Sequence, residues 1–175
     1  VALIYHLVAR VFGATAGIIA ALVLAITPIS IAADRNNTMD AQLVFVLLLA
    51  AWVVSIAAEK GKLSWLVLGA VFVGIGFNIK MLQAYMVLPA LFGMYLLAAR
   101  APWWKRIGHV AVAMIPLAIV SFAWVAIVDL TPSDARPYVG SSHNNTEIEL
   151  ILGHNGLARL GQIASWVGLG YNLPR

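Results

Sequence analysis

The sequence contains no cysteine and very little charge. Lys, Arg, Asp and Glu together make up 10% of the 175 residues, whereas hydrophobic residues make up 62%. The absence of cysteine excludes disulfide bonds and thiolate metal sites. A soluble domain of this size needs far more charge to cover its surface, so much of the apolar surface must face lipid. No basic run with aromatic residues suggests a nucleic-acid site, and we expect no nucleic-acid partner.

The sequence also lacks an initiator methionine and the n-region of a signal peptide. Its first residues already belong to an apolar stretch, and its last residues are rich in glycine. We therefore interpret it as a fragment of a longer polytopic protein.

Five apolar stretches predict membrane-spanning helices. A bilayer core of about 30 Å needs roughly 20 helical residues, and backbone groups in lipid must be paired internally. We predict an all-α membrane protein with a multi-span helical bundle over residues 1–129. The third stretch is short, and we expect it to end inside the membrane or to be shielded by protein. The predicted spans cover residues 11–31, 40–58, 63–77, 82–99 and 107–128.

The distribution of Lys and Arg between the short loops predicts the orientation. The basic segments 59–62 and 100–106 are expected on the cytoplasmic side. Six of the seven acids fall on the other side. That side holds the loop 32–39, the junction 78–81 and the loop region 130–175. We predict a multi-pass protein of the cell membrane whose active face is extracytoplasmic.

A polar cluster, residues 34–40, joins the first two predicted spans. A simple turn would need only Asn37 as an N-cap and Asp40 in the first helical turn, where the helix dipole favours an acid. The cluster also offers a guanidinium for an anion and a carboxylate that can act as a base or metal ligand. We assign Asp40 as the catalytic candidate and Asp34, Arg35 and Asn37 as substrate-binding candidates.

Lys80 lies between two apolar runs with no acid near it in sequence. Its side chain can snorkel to the headgroup level, or it can hold a phosphate at the mouth of a cavity. The short third span favours the phosphate site, because it places Lys80 at the outer mouth of the bundle. Asn78 and Gln83 would add hydrogen bonds, so all three residues are substrate-binding candidates.

The region after residue 129 is rich in Gly, Asn, Ser and Pro. Such a segment suits a loop that covers a substrate, although an ordinary solvated loop has the same composition. Ser142 and Asn145 are its substrate-binding candidates, and Thr146 is a candidate N-cap for a short helix over 147–152. The histidines show no fixed ligand spacing. The metal and any cofactor therefore stay unknown, with a divalent cation compatible with the acids.

Three segments resemble the polytopic glycosyltransferases of the protein O-mannosyltransferase and aminoarabinose transferase superfamily. They are residues 13–28, the cluster 34–40 and the run Gly76-Phe77-Asn78-Ile79-Lys80. The tail segments 136–142 and 153–157 are similar to a bacterial branch of that group. The resemblance implies a glycosyltransferase C-like fold. It also implies hexosyl or pentosyl transfer from a polyprenyl-phosphate sugar, in contact with membrane lipid, to an extracytoplasmic protein, lipid or glycan acceptor.

The resemblance matches Asp40 to the acid that begins the helix after an outward loop, and Lys80 to the lysine that binds the carrier phosphate. The family's usual catalytic base lies in an earlier outward loop, so the fragment alone is expected to be inactive. A polytopic transporter or channel subunit is the main alternative, and a purely structural subunit is another. A transporter site would lie near mid-membrane in paired repeats, whereas here the polar clusters lie at the outer edge and no repeat is found.

Overall fold

The computed structural model describes residues 1–36 and 38–157, with side chains as far as Gly153. Within these ranges the chain is helical and contains no β-strand, which confirms the all-α prediction. The elements are α1 (Ala2–Phe12), α2 (Ala14–Ile26), α3 (Pro28–Arg35), α4 (Met39–Lys60), α5 (Leu63–Lys80), a 3-10 helix (Met81–Val87), α6 (Leu88–Ala98), α7 (Trp103–Leu130), α8 (Glu147–Glu149) and a π-helix (Leu150–Leu157).

Three helical runs in the described part are long and apolar enough to cross a membrane: Met39–Lys60, Leu63–Ala98 and Trp103–Leu130. A fourth results if α2 and α3, which meet at an angle of 59°, count as one broken span. The multi-span bundle is thus confirmed, with three or four candidate spans where the sequence predicted about five. By length and composition, the third and fourth predicted spans count once, because they lie in one continuous helical run of 36 residues.

The chain reverses direction within this run. Met81, between α5 and the 3-10 helix, has a φ of 45°. After α6, the Arg100 backbone nitrogen donates to the Ala58 carbonyl at 3.0 Å, so α6 ends beside the end of α4. An 18-residue helix such as α5 rises about 27 Å, which places Lys80 at the far end of the bundle. The run therefore makes two antiparallel passages that turn near the predicted junction 78–81.

The first predicted span, residues 11–31, is divided into several helices. Gly13, with a φ of 87°, separates α1 from α2. The two helices pack closely at Gly17, where an added Cβ would lie 2.9 Å from the Tyr5 carbonyl oxygen. A second break occurs at Thr27, whose extended backbone is the conformation expected before a proline. Hydropathy alone does not reveal these breaks, because the run stays apolar through both.

Helices α4, α5 and α7 form the centre of the bundle. Small residues allow them to approach closely, as in many membrane proteins. An added Cβ at Gly69 would lie 2.5 Å from Val54 of α4, and one at Gly74 would lie 2.9 Å from Val120 of α7. Helix α5 is therefore held between its two neighbours, and this fixes the height of Lys80 at its end.

A cluster of buried apolar residues lies at the end of the bundle that carries Lys80. It contains residues from four bundle elements and one from the segment after α7: Leu43, Phe77, Ala84, Val125 and Ile151. The segment after α7 therefore packs against this end of the bundle.

Candidate functional site

The site is built around an ion pair between Lys80 and Asp40. Lys80 is the last residue of α5, and Asp40 lies in the first turn of α4. The two helices are antiparallel neighbours joined by the short turn at Gly61, so these ends lie side by side. The Lys80 ammonium donates to the Asp40 carboxylate, and the two side chains are 25% and 43% exposed. Two residues predicted separately from sequence thus share one site.

A cavity of about 290 Å³ adjoins the ion pair. Lys80 and Gln83 supply its polar lining, and the other lining residues are apolar: Met39, Ile79, Met81, Leu82 and Leu150. A single cation beside apolar walls suits an anion attached to a hydrocarbon, because the charge gains a strong hydrogen bond while the hydrocarbon leaves water. Of the predicted site residues, Lys80 and Gln83 line this cavity, and Asp40 adjoins it through its bond to Lys80.

The other members of the 34–40 cluster lie at the end of α3. Asp34 and Arg35 are exposed, and neither forms an ion pair with the side chains of residues 1–36 and 38–153. Asn37 lies outside the described residues. Helix α4 begins after Thr38, whose hydroxyl donates to the Ala33 carbonyl at 3.1 Å. Asp40 still occupies the first turn of α4, where the helix dipole favours its charge.

Asn78 lies just before Lys80, yet its amide ties helices together. Its nitrogen donates to the carbonyls of Gly74 and Val120, both at 2.9 Å. These bonds join α5 to α7 and use both amide hydrogens. A role of Asn78 in substrate binding stays a prediction, but the bonds already account for an asparagine at this position.

Ser142 and Asn145 fold the loop in which they lie. The Ser142 hydroxyl donates to the Val139 carbonyl at 2.7 Å, and the Asn145 side-chain oxygen accepts from the Val139 nitrogen at 3.2 Å. Asn145 has a φ of 52°, a conformation that asparagine tolerates better than most residues. Their predicted contact with substrate stays untested.

Sequence reasoning did not single out Asp129, which anchors the segment after α7. Its two carboxylate oxygens accept from the backbone nitrogens of Glu147, at 2.7 Å, and Ile148, at 3.1 Å. A carboxylate at such a helix start satisfies donors that have no partner within the helix. The predicted cap is also present, since the Thr146 hydroxyl accepts from the Glu149 nitrogen at 3.3 Å.

Arg136 is the second residue that holds this segment together. Its guanidinium donates to the carbonyls of Asp129 at 2.9 Å, Thr131 at 3.0 Å and Asn144 at 3.0 Å. It thereby joins the end of α7 to the loop that precedes α8. The only sequence signal was a cation in a polar loop, and a bond to backbone carbonyls leaves no recognisable residue pattern. The consequence for the site is that Leu150 reaches the cavity wall.

The pKa values of the two glutamates of α8 are shifted in opposite directions. Partial burial raises the pKa of Glu147, and the nearby Asp129 charge raises it further against the lowering effect of a hydrogen bond from Trp124. Hydrogen bonds from the backbone nitrogens of Asn144 and His143 lower the pKa of Glu149. In the part of the chain that the structure describes, no three His, Asp or Glu side chains are grouped to hold a metal ion. The identity of any metal or cofactor stays open.

Comparison with known proteins supports the resemblance noted from the sequence. The family described as dolichyl-phosphate-mannose-protein mannosyltransferase matches residues 1–125. The chain belongs to this family. It is 51% identical over 160 residues to the "Putative mannosyltransferase YkcB" of Bacillus subtilis (strain 168), covering 91% of the chain and 22% of that relative. It is 45% identical over 158 residues to the "Putative mannosyltransferase YycA" of the same strain, covering 90% of the chain and 23% of that relative.

The chain therefore spans less than a quarter of the length of these two mannosyltransferase-family relatives. No solved structure matches it. Membership of the mannosyltransferase family confirms the recognition made from the segments 13–28, 34–40 and 76–80, and it favours a transferase over a transporter or channel subunit.

Proposed function

We propose that the intact protein is a membrane glycosyltransferase that moves a sugar from a polyprenyl-phosphate carrier to an extracytoplasmic acceptor. In this proposal the segment 39–83 supplies the site for the donor phosphate. The observation that carries it is the position of Lys80 at a helix end, beside a cavity whose remaining walls are mostly apolar. Membership of the mannosyltransferase family supports the reaction class.

The donor's chemistry fits the lining of this cavity. A polyprenyl-phosphate sugar carries an anion at the membrane surface, with its hydrocarbon in lipid. The Lys80 ammonium would form charge-assisted hydrogen bonds to the phosphate oxygens, and the Gln83 amide can donate to the same group. Negative charge grows on the phosphate oxygen as its bond to the sugar breaks, so a fixed cation there stabilises the transition state.

Asp40 would change partner when the donor binds. A phosphate that binds Lys80 competes with the Asp40 carboxylate, which pairs with the ammonium in the structure. The released carboxylate can accept the proton of an acceptor hydroxyl, or it can hold a divalent cation. Asp40 is therefore our catalytic candidate, and Asp34 and Arg35 extend the polar surface beside it.

Substitution of Lys80 tests the donor site. In the intact protein we expect Lys80→Ala to weaken use of the polyprenyl-phosphate sugar by about 10- to 100-fold, the loss typical of a hydrogen bond to a charged group. Lys80→Arg, which keeps the charge, should retain more of the activity. Transfer of a labelled sugar is measured against donor concentration. An unchanged Michaelis constant and turnover in a well-folded Lys80→Ala protein would show that Lys80 only snorkels to the lipid headgroups and does not bind the donor.

A further inference from the structure

Two short connectors meet at the end of the bundle opposite Lys80. Gly61, with a φ of 61°, makes the turn between α4 and α5. It packs directly against the Arg100 carbonyl, so a side chain there would collide with the α6–α7 connector. The Arg100 nitrogen also donates to the Ala58 carbonyl at 3.0 Å. Two basic segments far apart in sequence are therefore fixed side by side.

Four exposed cations lie on these connectors or at the helix ends beside them: Lys60, Lys62, Arg100 and Lys105. Among the residues for which the structure gives side chains, none of the four forms an ion pair. Glu59 is the only acid of the sequence near this end, and it is paired with Arg10. Among the described side chains, the four positive charges therefore have no carboxylate partner.

Arg106 differs from these four cations, because its donors are used within the protein. They bond the carbonyls of Leu96 at 2.6 Å, Leu97 at 3.2 Å and Ala101 at 2.7 Å. Arg106 therefore caps the last carbonyls of α6. The exposed positive charge at this end comes from the other four cations.

Exposed tryptophans accompany these four cations. Trp103 and Trp104 begin α7 and are 53% and 73% exposed. The Lys60 ammonium lies 4.9 Å from the centre of the Trp65 ring. Tryptophan concentrates at the boundary between hydrocarbon and headgroups, so this end of the bundle is at the right depth to meet lipid phosphates.

We infer that this basic–tryptophan surface, formed by Lys60, Lys62, Arg100, Lys105, Trp103 and Trp104, binds the headgroups of anionic phospholipids. Each lysine or arginine near an anionic membrane surface adds favourable electrostatic energy, and here Gly61 holds two basic segments in one place. The exposed apolar side of α7 continues from the same surface and can contact the acyl chains. The inference is independent of the donor site, which lies at the other end.

The test uses the intact protein in nanodiscs made of phosphatidylcholine with a minor fraction of phosphatidylglycerol. The enrichment of phosphatidylglycerol around the protein is measured by mass spectrometry of the retained lipid. We expect Lys62→Gln and Lys105→Gln, combined, to reduce this enrichment by roughly fivefold for each charge removed. The matched pair Lys62→Arg and Lys105→Arg should retain it, because the charge remains.

A control for position is Asp134→Asn, which removes one exposed charge at the opposite end, outside the proposed donor site, and should leave the enrichment unchanged. Equal enrichment in the glutamine pair and the unsubstituted protein would overturn the inference. An equal loss in the arginine pair, or with Asp134→Asn, would also overturn it. Excess inorganic phosphate should not displace the lipid, and displacement would assign the surface to soluble phosphate instead.

Discussion

Lys80 and Asp40 are both partly exposed, and this limits what their ion pair contributes to stability. Exposed pairs are typically worth about 0–1 kcal/mol, because water screens the charges and two side chains lose freedom. A ligand phosphate can therefore replace Asp40 as the partner of Lys80 at little cost. The pair is better suited to exchange than to holding α4 against α5, which the buried contacts between these helices already do.

The exchange gives a prediction for Asp40→Asn, which keeps the shape of the side chain and removes its charge. If the carboxylate acts on the acceptor or holds a cation, turnover should fall by roughly a hundredfold or more. Stability should change by at most about 1 kcal/mol. Turnover of the intact protein at saturating donor, together with the melting temperature in detergent, measures both effects.

Asp134→Asn is the matched control, because Asp134 is an exposed acid of the region after α7 with no ion pair among the described residues. It should leave turnover and melting temperature unchanged. A well-folded Asp40→Asn protein with near-normal turnover would reduce Asp40 to a favourable charge at the start of α4.

Glu147 gives a prediction about pH. Its pKa is raised in the folded protein, so the folded state binds this proton more tightly than the unfolded state does. The contribution of Glu147 to stability is therefore present at acid pH and is lost as the pH rises through the raised pKa. Glu147→Gln should raise the melting temperature at neutral pH and have less effect in acid.

Glu149 provides a control of opposite sign, because its pKa is lowered by backbone hydrogen bonds. Its contribution is present above its usual pKa and is lost as the pH falls. Glu149→Gln should therefore lower the melting temperature at neutral pH and have less effect in acid. The two profiles, measured from about pH 4 to pH 8, should diverge as the pH increases, and parallel profiles would contradict this assignment.

At the scale of helices, α5 is positioned by glycines that face its neighbours. At Gly74 an added Cβ would meet Val120 at 2.9 Å, and the Leu117 carbonyl lies 3.2 Å away. Gly74→Ala should therefore force α5 and α7 apart and destabilise the protein by about 1–3 kcal/mol, as overpacking does. Thermal unfolding in a fixed detergent measures the effect.

Gly93 of α6 and Gly108 of α7 are matched controls, because an added Cβ at either position would have nothing within 4 Å. Alanine there should be neutral or stabilising by up to about 1 kcal/mol, since alanine is the better helix former. A similar loss of stability at all three positions would show that helix packing is not the reason for Gly74.

The helices themselves were largely predictable, and their contacts were not. Long apolar runs around α4, α5 and α7 required helices in lipid, and an ionisable residue at the edge of such a run, as at Lys80, is costly enough to attract attention. The ion pair between Lys80 and Asp40 could not be predicted from the sequence. It joins residues 40 positions apart, which meet only because two helices pack antiparallel. The breaks at Gly13 and Thr27 had sequence signals, a glycine and a following proline, that hydropathy masks.

For the whole molecule, the distribution of charge predicts an orientation that the fold makes testable. Lys80, Asp40 and the segment after α7 lie at one end of the bundle, and the basic–tryptophan surface lies at the other. Because cytoplasmic loops carry the excess of Lys and Arg, we expect the end with Lys80 to be extracytoplasmic.

Single cysteines can test this, since the chain has none of its own. In intact cells, a membrane-impermeant thiol reagent should label Ser133→Cys and should not label Ser64→Cys. Both serines are exposed, and Ser64 lies in the first turn of α5 near the basic–tryptophan surface. Permeabilised cells should show both labelled, and the reverse pattern in intact cells would invert the assigned orientation.

Ile151, which is 6% exposed, packs into a cluster supplied by α4, α5, the 3-10 helix and α7. Its neighbour Leu150 forms part of the cavity wall. The volume of the cavity therefore depends on whether the segment that carries Leu150 and Ile151 is packed against the bundle. Withdrawing Leu150 also exposes Ile151, at a cost of about 1.5–3 kcal/mol. At that cost a widened cavity would be populated at roughly 0.6% to 7%, and a bulky ligand would have to supply the difference from its own binding energy.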